Sequence, residues 1–252
     1  MKKSFIHLTI CLLLTVQAAS AQNVKMRDEN FKKALIEQGV DLNDDGEIQV
    51  SEALKVTKLY VNKFHINNLY GIKSFANLEE FGFYDNEIRD ADLSGMTKLR
   101  AVYGWNNQLQ SLNVKGCTNL VTLYAPYNKL SVIDLGGLPK LKELQLHNNT
   151  LNVVDVGGHP LLEECQLNDN MMTAFHFKGS NAIKKLRLDN NLLEELNATP
   201  LKDLEELSVY KNRPMTVLKI YGLRKLKELS ADFCSLNNLN MSGTVSLTKF
   251  TW

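Results

Sequence analysis

Oxygen-bearing side chains recur at fixed spacing in the segment DLNDDGEIQVSE, residues 41–52. Every position of the pattern D-x-[DN]-x-[DN]-G-x₅-E is satisfied, with Gly46 at the sharp turn and Glu52 at the end. Oxygen atoms at positions 1, 3, 5, 7, 9 and 12 of such a loop can surround a calcium ion, which prefers six to eight oxygen ligands. The sequence therefore predicts a calcium site made by Asp41, Asn43, Asp45, Glu47 (through its carbonyl), Gln49 and Glu52.

The elements around this loop must hold its ligands in place. The preceding segment DENFKKALIEQG has Phe31, Ala34, Leu35 and Ile36 at helical spacing, which predicts a short amphipathic helix. The stretch SEALK can supply a second, exiting helix, so residues 22–55 are expected to form a helical, EF-hand-like cap. Calcium would have a structural role there. The alternative, a turn rich in Asp, Asn and Gly that forms without metal, stays open.

The remainder of the chain is built from one repeated unit, LxxLxLxxNxL. Units begin at Leu78, Leu99, Leu120, Leu141, Leu162, Ile183, Leu204 and Leu226. The step between starts is 21 residues, except 22 before Leu226, where Pro214 marks an insertion. A degenerate unit precedes them at Val56, and a truncated one begins at Leu247. Residues 56–252 thus form a repeat domain of about eight full units, which either ends on Leu247, Phe250 and Trp252 or continues in a longer protein.

Each repeat position has a physical role. Apolar residues two apart, such as Leu144 and Leu146, point to one face of a short strand. A recurring asparagine can bond backbone groups where the chain leaves the strand, at Asn86, Asn107, Asn128, Asn149, Asn170, Asn191 and Asn212. Glycines at Gly95, Gly116, Gly137, Gly158 and Gly179 predict a tight return turn. The other half of a unit this short is expected to be extended or 3₁₀-like, and stacked units bury one continuous core.

These units resemble the short leucine-rich repeats of bacterial internalin-like proteins, particularly secreted examples from Bacteroidetes. The resemblance covers roughly residues 30 to 252. It implies a right-handed horseshoe solenoid of the α/β class, rich in β structure. A parallel sheet is expected on the concave face, and the expected role is protein binding. Caps in that family can look like an EF-hand without binding calcium.

The outward positions of the predicted strands can be compared from unit to unit. Aromatic residues concentrate in three consecutive units at Tyr84, Tyr103, Trp105, Tyr124 and Tyr127. Adjacent strands lie about 4.8 Å apart, so these rings are expected to form one contiguous patch. Because tyrosine and tryptophan are enriched at binding hot spots, we predict that this aromatic patch binds a ligand. The alternative is that the rings only stabilise the sheet by cross-strand packing.

Charge and motif content narrow the function classes. With 29 basic and 28 acidic residues the formal net charge is +1, so no long-range field favours nucleic acid or an anionic membrane. The sequence has no phosphate loop, HExxH or GxSxG motif, and His147 and Asp189 are two strands apart. We therefore expect no enzyme activity.

The first 21 residues have the features of a signal peptide. Two lysines precede an apolar run from about Phe5 to Val16, and Ala19-Ser20-Ala21 offers a small-residue cleavage site. The apolar run is shorter than the ~20 residues of a spanning helix, so cleavage near Ala21 is expected, without membrane insertion. The sequence thus predicts a secreted, periplasmic or cell-surface protein that binds a protein partner through its concave face. Glycan binding by the aromatic patch and a purely structural envelope role are the alternatives.

Overall fold

A computed structural model describes residues 22–252. The predicted signal peptide, residues 1–21, lies outside the described residues. Helix α1 spans Glu29–Glu37, helix α2 spans Val50–Ala53, and a 3₁₀ helix spans Ile72–Ser74. The strands are β1 (Lys58–Tyr60), β2 (Glu80–Gly82), β3 (Asp90–Asp92), β4 (Ala101–Tyr103), β5 (Ser111–Asn113), β6 (Thr122–Tyr124), β7 (Glu143–Gln145), β8 (Val153–Asp155), β9 (Glu164–Gln166), β10 (Ala174–His176), β11 (Lys185–Arg187), β12 (Glu195–Asn197), β13 (Glu206–Ser208), β14 (Val217–Lys219), β15 (Glu228–Ser230) and β16 (Lys249–Thr251).

The repeats stack into a leucine-rich-repeat solenoid, as the sequence predicts. One strand from each unit joins a ten-stranded parallel sheet in the order β1-β2-β4-β6-β7-β9-β11-β13-β15-β16. The other half of the units is extended and forms short two-stranded pairs, β3 with β5, β8 with β10 and β12 with β14. The sheet lines the concave face of the solenoid and the short pairs lie on the convex side.

The core runs between these two faces. Leu141, Leu144, Leu146, Leu151 and Val154 of a single unit are all fully buried. Equivalent residues stack on them from the units before and after, in one continuous cluster. Since one unit of this size cannot bury its own apolar face, stacking is what makes each unit stable.

The recurring asparagines tie each unit to the one before it. Asn149 Nδ2 donates to the carbonyls of Ala125 and Leu146, both at 3.0 Å, and its Oδ1 accepts the N–H of Leu130 at 3.0 Å. The same bonds recur from Asn107 to Asn191. The predicted asparagine ladder is therefore confirmed.

Two backbone positions in each unit have left-handed conformations. The return-turn glycines are all at positive φ, for example 78° at Gly95 and 79° at Gly158, which confirms the predicted turn. The residue just before each ladder asparagine is also left-handed, with φ between 50° and 58° at Asp85, Asn106, Tyr127, Asn148, Asp169, Asn190 and Lys211. Asparagine and aspartate tolerate this region, whereas a bulky residue such as Tyr127 is an outlier.

The N-terminal cap closes the first repeat. Helix α1 forms as predicted, and its Phe31, Ala34 and Leu35 are buried, but Ile36 is 38% exposed and faces away from the core. Asp28 caps the helix by accepting the N–H groups of Asn30 and Phe31. The other oxygen of Asp28 accepts the N–H groups of Asn67 and Asn68 at 2.6 and 3.0 Å, so one carboxylate joins the cap to the repeats.

Candidate functional site

The structure places the predicted aromatic residues together on the concave face. The strand register aligns Tyr60, Gly82, Tyr103 and Tyr124 in one row across β1, β2, β4 and β6. Tyr84 and Trp105 form a second row two residues beyond the ends of β2 and β4. The structure thus brings together the predicted Tyr84, Tyr103, Trp105 and Tyr124, and Tyr60 joins them, whereas the predicted Tyr127 contacts His147.

The rings of the aromatic patch contact one another directly. Tyr84 and Trp105 are stacked, with centroids 3.8 Å apart and planes 9° apart. Tyr103 lies at the centre, 6.2 Å from Trp105, 5.7 Å from Tyr124 and 6.4 Å from Tyr60. All of them keep part of their surface exposed. Such a cluster presents a large, pre-ordered surface to a partner.

Gly82 provides the space that brings Tyr60 into the patch. A Cβ atom at this position would lie 2.4 Å from Cδ1 of Tyr60. Without it, the Tyr60 ring leans over β2 and becomes nearly parallel to Tyr103, with 17° between the planes. The absence of a side chain therefore extends the aromatic patch by one strand.

Glutamates beside the patch fix two of its hydroxyl groups. Tyr60 donates to Glu80 at 2.8 Å, and Tyr124 donates to Glu143. Burial, followed by the Glu80 bond, raises the pKa of Tyr60 to about 12, and burial and Glu143 likewise raise the pKa of Tyr124. Both tyrosines therefore remain protonated donors at neutral pH.

The sequence prediction does not include these glutamates, because it rests on later positions of the strands. In a three-residue strand with a buried centre, both flanking residues point outward. Glu80 and Glu143 occupy the first of these two outward positions, in β2 and β7. The alternation of the strand could have identified them.

Tyr127 and His147 extend the patch at its polar edge. Tyr127 is 55% exposed, and its ring contacts that of His147 edge-to-face at 5.4 Å. Burial lowers the pKa of His147, so the ring is neutral at pH 7. Its Nδ1 atom is buried and has no hydrogen-bond partner among residues 22–252. The structure therefore places His147 beside the patch.

Tyr127 is expected to reduce stability through its left-handed backbone, with φ 55°. We predict that Tyr127→Asn will be about 1 kcal/mol more stable than Tyr127→Ala, because asparagine tolerates this conformation better. Neither variant keeps the ring, so the difference isolates the backbone. Urea unfolding of the two variants measures it, and equal stabilities would show that the position is not strained.

Exposed ion pairs characterise the C-terminal half of the solenoid. Lys184 pairs with Glu163 at 2.8 Å, and Lys227 pairs with Glu205 at 2.6 Å. Further pairs join Lys225 to Asp203, Lys249 to Glu228, and Lys185 to Glu164 and Glu206. Exposed pairs of this kind contribute about 0–1 kcal/mol each and remain hydrated. The aromatic patch is therefore the more suitable binding surface.

The predicted calcium loop is closed by its own hydrogen bonds. Asp41 accepts the N–H of Gly46 at 2.8 Å. The carboxylate of Glu52 accepts the N–H groups of Leu42 and Gln49 at 2.7 and 2.8 Å. The side chain of Glu47 does not point toward the other predicted ligands and pairs instead with Lys32 at 2.6 Å. Its carbonyl, the predicted ligand, is not affected by that pair.

Two amides in this loop point their donors at a carboxylate. Asn43 Nδ2 and Gln49 Nε2 both donate to Asp45 Oδ2 at 3.0 Å. The N–H of Glu47 lowers the pKa of Asp45, which keeps that group anionic. Across residues 22–252, no three His, Cys, Asp or Glu side chains are grouped closely enough to hold a metal ion. The donor types suit calcium if the two amides turn their oxygens inward, so calcium binding stays a prediction.

Calcium is expected to raise the melting temperature through this loop. Binding to the native state stabilises it by RT ln(1 + [L]/Kd), about 1.4 kcal/mol at a calcium concentration of 10 Kd. Melting in chelator and in millimolar calcium measures the shift. Asp45→Asn should abolish it, whereas Asp44→Asn, which removes the same charge outside the ligand positions, should not. No shift in the unmodified protein would contradict the prediction.

A cavity lies away from the patch, at the N-terminal end of the solenoid. It has a volume of about 500 Å³ and lies between residues 22–25 and residues 68–74, beside Asp90 and Asp92. Lys73 at its edge is already paired with Asp92 at 2.5 Å. Its described lining contains one aromatic side chain, Tyr70, and no aromatic cluster. We therefore do not assign the binding function to this cavity.

No helix in the described part of the chain has the length and apolar character that crossing a membrane requires. No protein-family model matches the sequence, and no curated protein matches it either.

Solved structures share the fold. The functional domain of InlJ from Listeria monocytogenes is 21% identical, with a TM-score of 0.58 over 91% of this chain and 63% of that domain. Internalin C2 from the same species is 18% identical, with a TM-score of 0.51 over 85% of this chain and 93% of that one. YopM from Yersinia enterocolitica is 21% identical, with a TM-score of 0.61 over 77% of this chain and 46% of YopM. The chain thus spans less than two thirds of the InlJ domain, and the similarity establishes the fold.

Proposed function

We propose that this chain is an exported, non-catalytic binding protein that recognises a protein partner through the aromatic patch. The observation that carries the proposal is the exposed, mutually packed set of rings centred on Tyr103, with Trp105 stacked on Tyr84. Rigid aromatic side chains lose little conformational entropy on binding and supply most of the energy of protein interfaces.

The size of the patch favours a protein partner. Rings from β1, β2, β4 and β6 occupy three strand spacings, about 14 Å across the sheet. Tyr127 and His147 extend it further along the solenoid. A continuous surface of this width suits several side chains of a partner, arranged around a central hot spot.

Glycan binding is the second candidate. Tyr127 is 55% exposed, and a sugar ring could stack on such an aromatic face. One face of the Trp105 ring is covered by Tyr84, which leaves fewer free faces for stacking. A purely structural envelope role is the remaining alternative and would need no free patch.

The proposal is tested by parallel capture experiments with purified protein. Residues 22–252 are immobilised, once unmodified and once with the patch variant Trp105→Ala. The surface proteins and glycans that each form retains are then compared. A protein that is retained by the unmodified chain and lost with the variant supports the proposal. Retention of glycans alone would favour the second candidate. If the unmodified chain and the patch variant retained the same proteins and glycans equally well, both candidates would be overturned.

Export and calcium binding belong to the same proposal. Residues 1–21 supply the leader, and the loop of residues 41–52 would stiffen the cap outside the cell, where calcium is abundant. Sequencing the N-terminus of the secreted protein tests the first point. A mature chain that begins near Gln22 is the expected result.

A further inference from the structure

A shallow niche lies in the concave sheet beside the central ring of the patch. The register aligns Glu80, Ala101, Thr122 and Glu143 across β2, β4, β6 and β7. Ala101 and Thr122 have short side chains between the two carboxylates; Ala101 is buried and Thr122 is partly exposed. Tyr103 and Tyr124 occupy the next outward row of the same strands. The niche thus has an aromatic wall and an acidic group at each end.

The hydroxyl group of Tyr103 is available to a partner. The neighbouring hydroxyls of Tyr60 and Tyr124 are bonded to Glu80 and Glu143. The Tyr103 hydroxyl has no such bond to another residue in the described range 22–252. Tyr103 is partly exposed, so its unbonded hydroxyl can form a hydrogen bond with a ligand group.

The two ends of the niche differ in charge. Glu80 is paired with Lys58 at 2.7 Å, and Arg100 adds a second positive charge near it. Glu143 has the Tyr124 hydroxyl as its contact and forms no ion pair among the described residues. The adjacent Glu164 lies next to it in register. Glu164 is paired with Lys185 at 3.7 Å, so Glu143 is the carboxylate at this end that lacks a paired cation among residues 22–252.

We propose that this niche binds an arginine side chain of the partner. The guanidinium would lie against the aromatic patch and donate to the Tyr103 hydroxyl oxygen and to the Glu143 carboxylate. Arginine fits better than lysine because its planar group stacks on aromatic faces and offers several donors in one fork. This inference rests on the proposed function and specifies the chemistry that the partner presents.

The test uses two small probes of the same shape. N-acetyl-arginine methylamide carries the guanidinium, and N-acetyl-citrulline methylamide replaces it with a neutral urea group. Both are titrated into the ¹⁵N-labelled chain, and chemical shifts of the patch are followed by NMR. We expect arginine to bind about tenfold more tightly than citrulline, because charge-assisted hydrogen bonds and cation–π contact together contribute about that factor.

Variants locate the site of the effect. Glu143→Gln, which can still accept the Tyr124 hydroxyl, should reduce arginine binding to the citrulline level. Glu206→Gln, a matched change on the polar half of the face, should leave it unchanged. The inference would be overturned if the two probes bound equally well. It would also be overturned if the arginine probe caused the same chemical-shift changes in the Glu143→Gln variant as in the unmodified chain. Those outcomes leave the proposed function standing, because the capture experiment tests it separately.

Discussion

Asn149→Ala is expected to lower the free energy of unfolding by about 3 kcal/mol. The substitution removes the acceptor for the Leu130 N–H and the donor for the carbonyls of Ala125 and Leu146. Each buried backbone group left unpaired costs about 1–3 kcal/mol. Asn149 is 8% exposed, so water can rescue only part of this loss. Urea unfolding followed by circular dichroism measures the change.

The control must remove an asparagine without these effects. Asn148 is unsuitable because it is only partly exposed and its φ of 54° would strain an alanine. Asn152 is exposed in the same unit and accepts only a 3.3 Å bond from Thr173. Asn152→Ala should therefore change stability by less than about 0.5 kcal/mol. Similar effects at Asn149 and Asn152 would show that the ladder bonds do not stabilise the solenoid.

Trp105→Ala is expected to weaken partner binding by roughly thirtyfold or more, which corresponds to about 2 kcal/mol. Trp105 stacks on Tyr84 and touches the edge of Tyr103, so its loss removes the ring that joins Tyr84 to the central Tyr103. The ring lies outside the buried core cluster, so the solenoid should remain folded. Affinity for the captured partner is compared by titration calorimetry.

The matched variant for this test is Asn168→Ala. Asn168 occupies the same repeat position as Trp105, three units further along. Within residues 22–252 its side chain bonds only to the side chain of Asp169. It should reduce affinity by less than about threefold. Circular dichroism of both variants controls for folding. Normal binding by a folded Trp105→Ala protein would place the binding site elsewhere and leave the aromatic patch as sheet packing.

The sequence by itself determined the fold. A step of 21 residues with leucines at fixed positions admits one stacking arrangement, because a single register buries Leu141, Leu144 and Leu146 together. Asparagine and glycine positions followed from the same period, since each meets a local backbone need within one unit. The outward rows, and with them the members of the aromatic patch, followed from the alternation of side chains along a strand.

The tertiary structure decided how neighbouring units fit each other. The Tyr60 ring reaches Tyr103 because Gly82, from the unit between them, has no Cβ. A similar space at Gly104 is filled by Phe83, since a Cβ there would lie 2.5 Å from that ring. Such contacts depend on the shapes of side chains far apart in sequence, which periodicity does not describe.

The tertiary structure also decided which ion pairs and hydrogen bonds the polar side chains of the site form. Glu143 bonds Tyr124 and forms no ion pair within residues 22–252, whereas Glu80, at the same repeat position, is paired with Lys58. In the cap, the sequence contains every residue of the calcium-loop pattern. In the structure these side chains bond one another, for example Gln49 to Asp45. The types and spacing of residues define which bonds are possible. Only the folded arrangement selects among them, because each donor and acceptor bonds the partner that packing brings nearest.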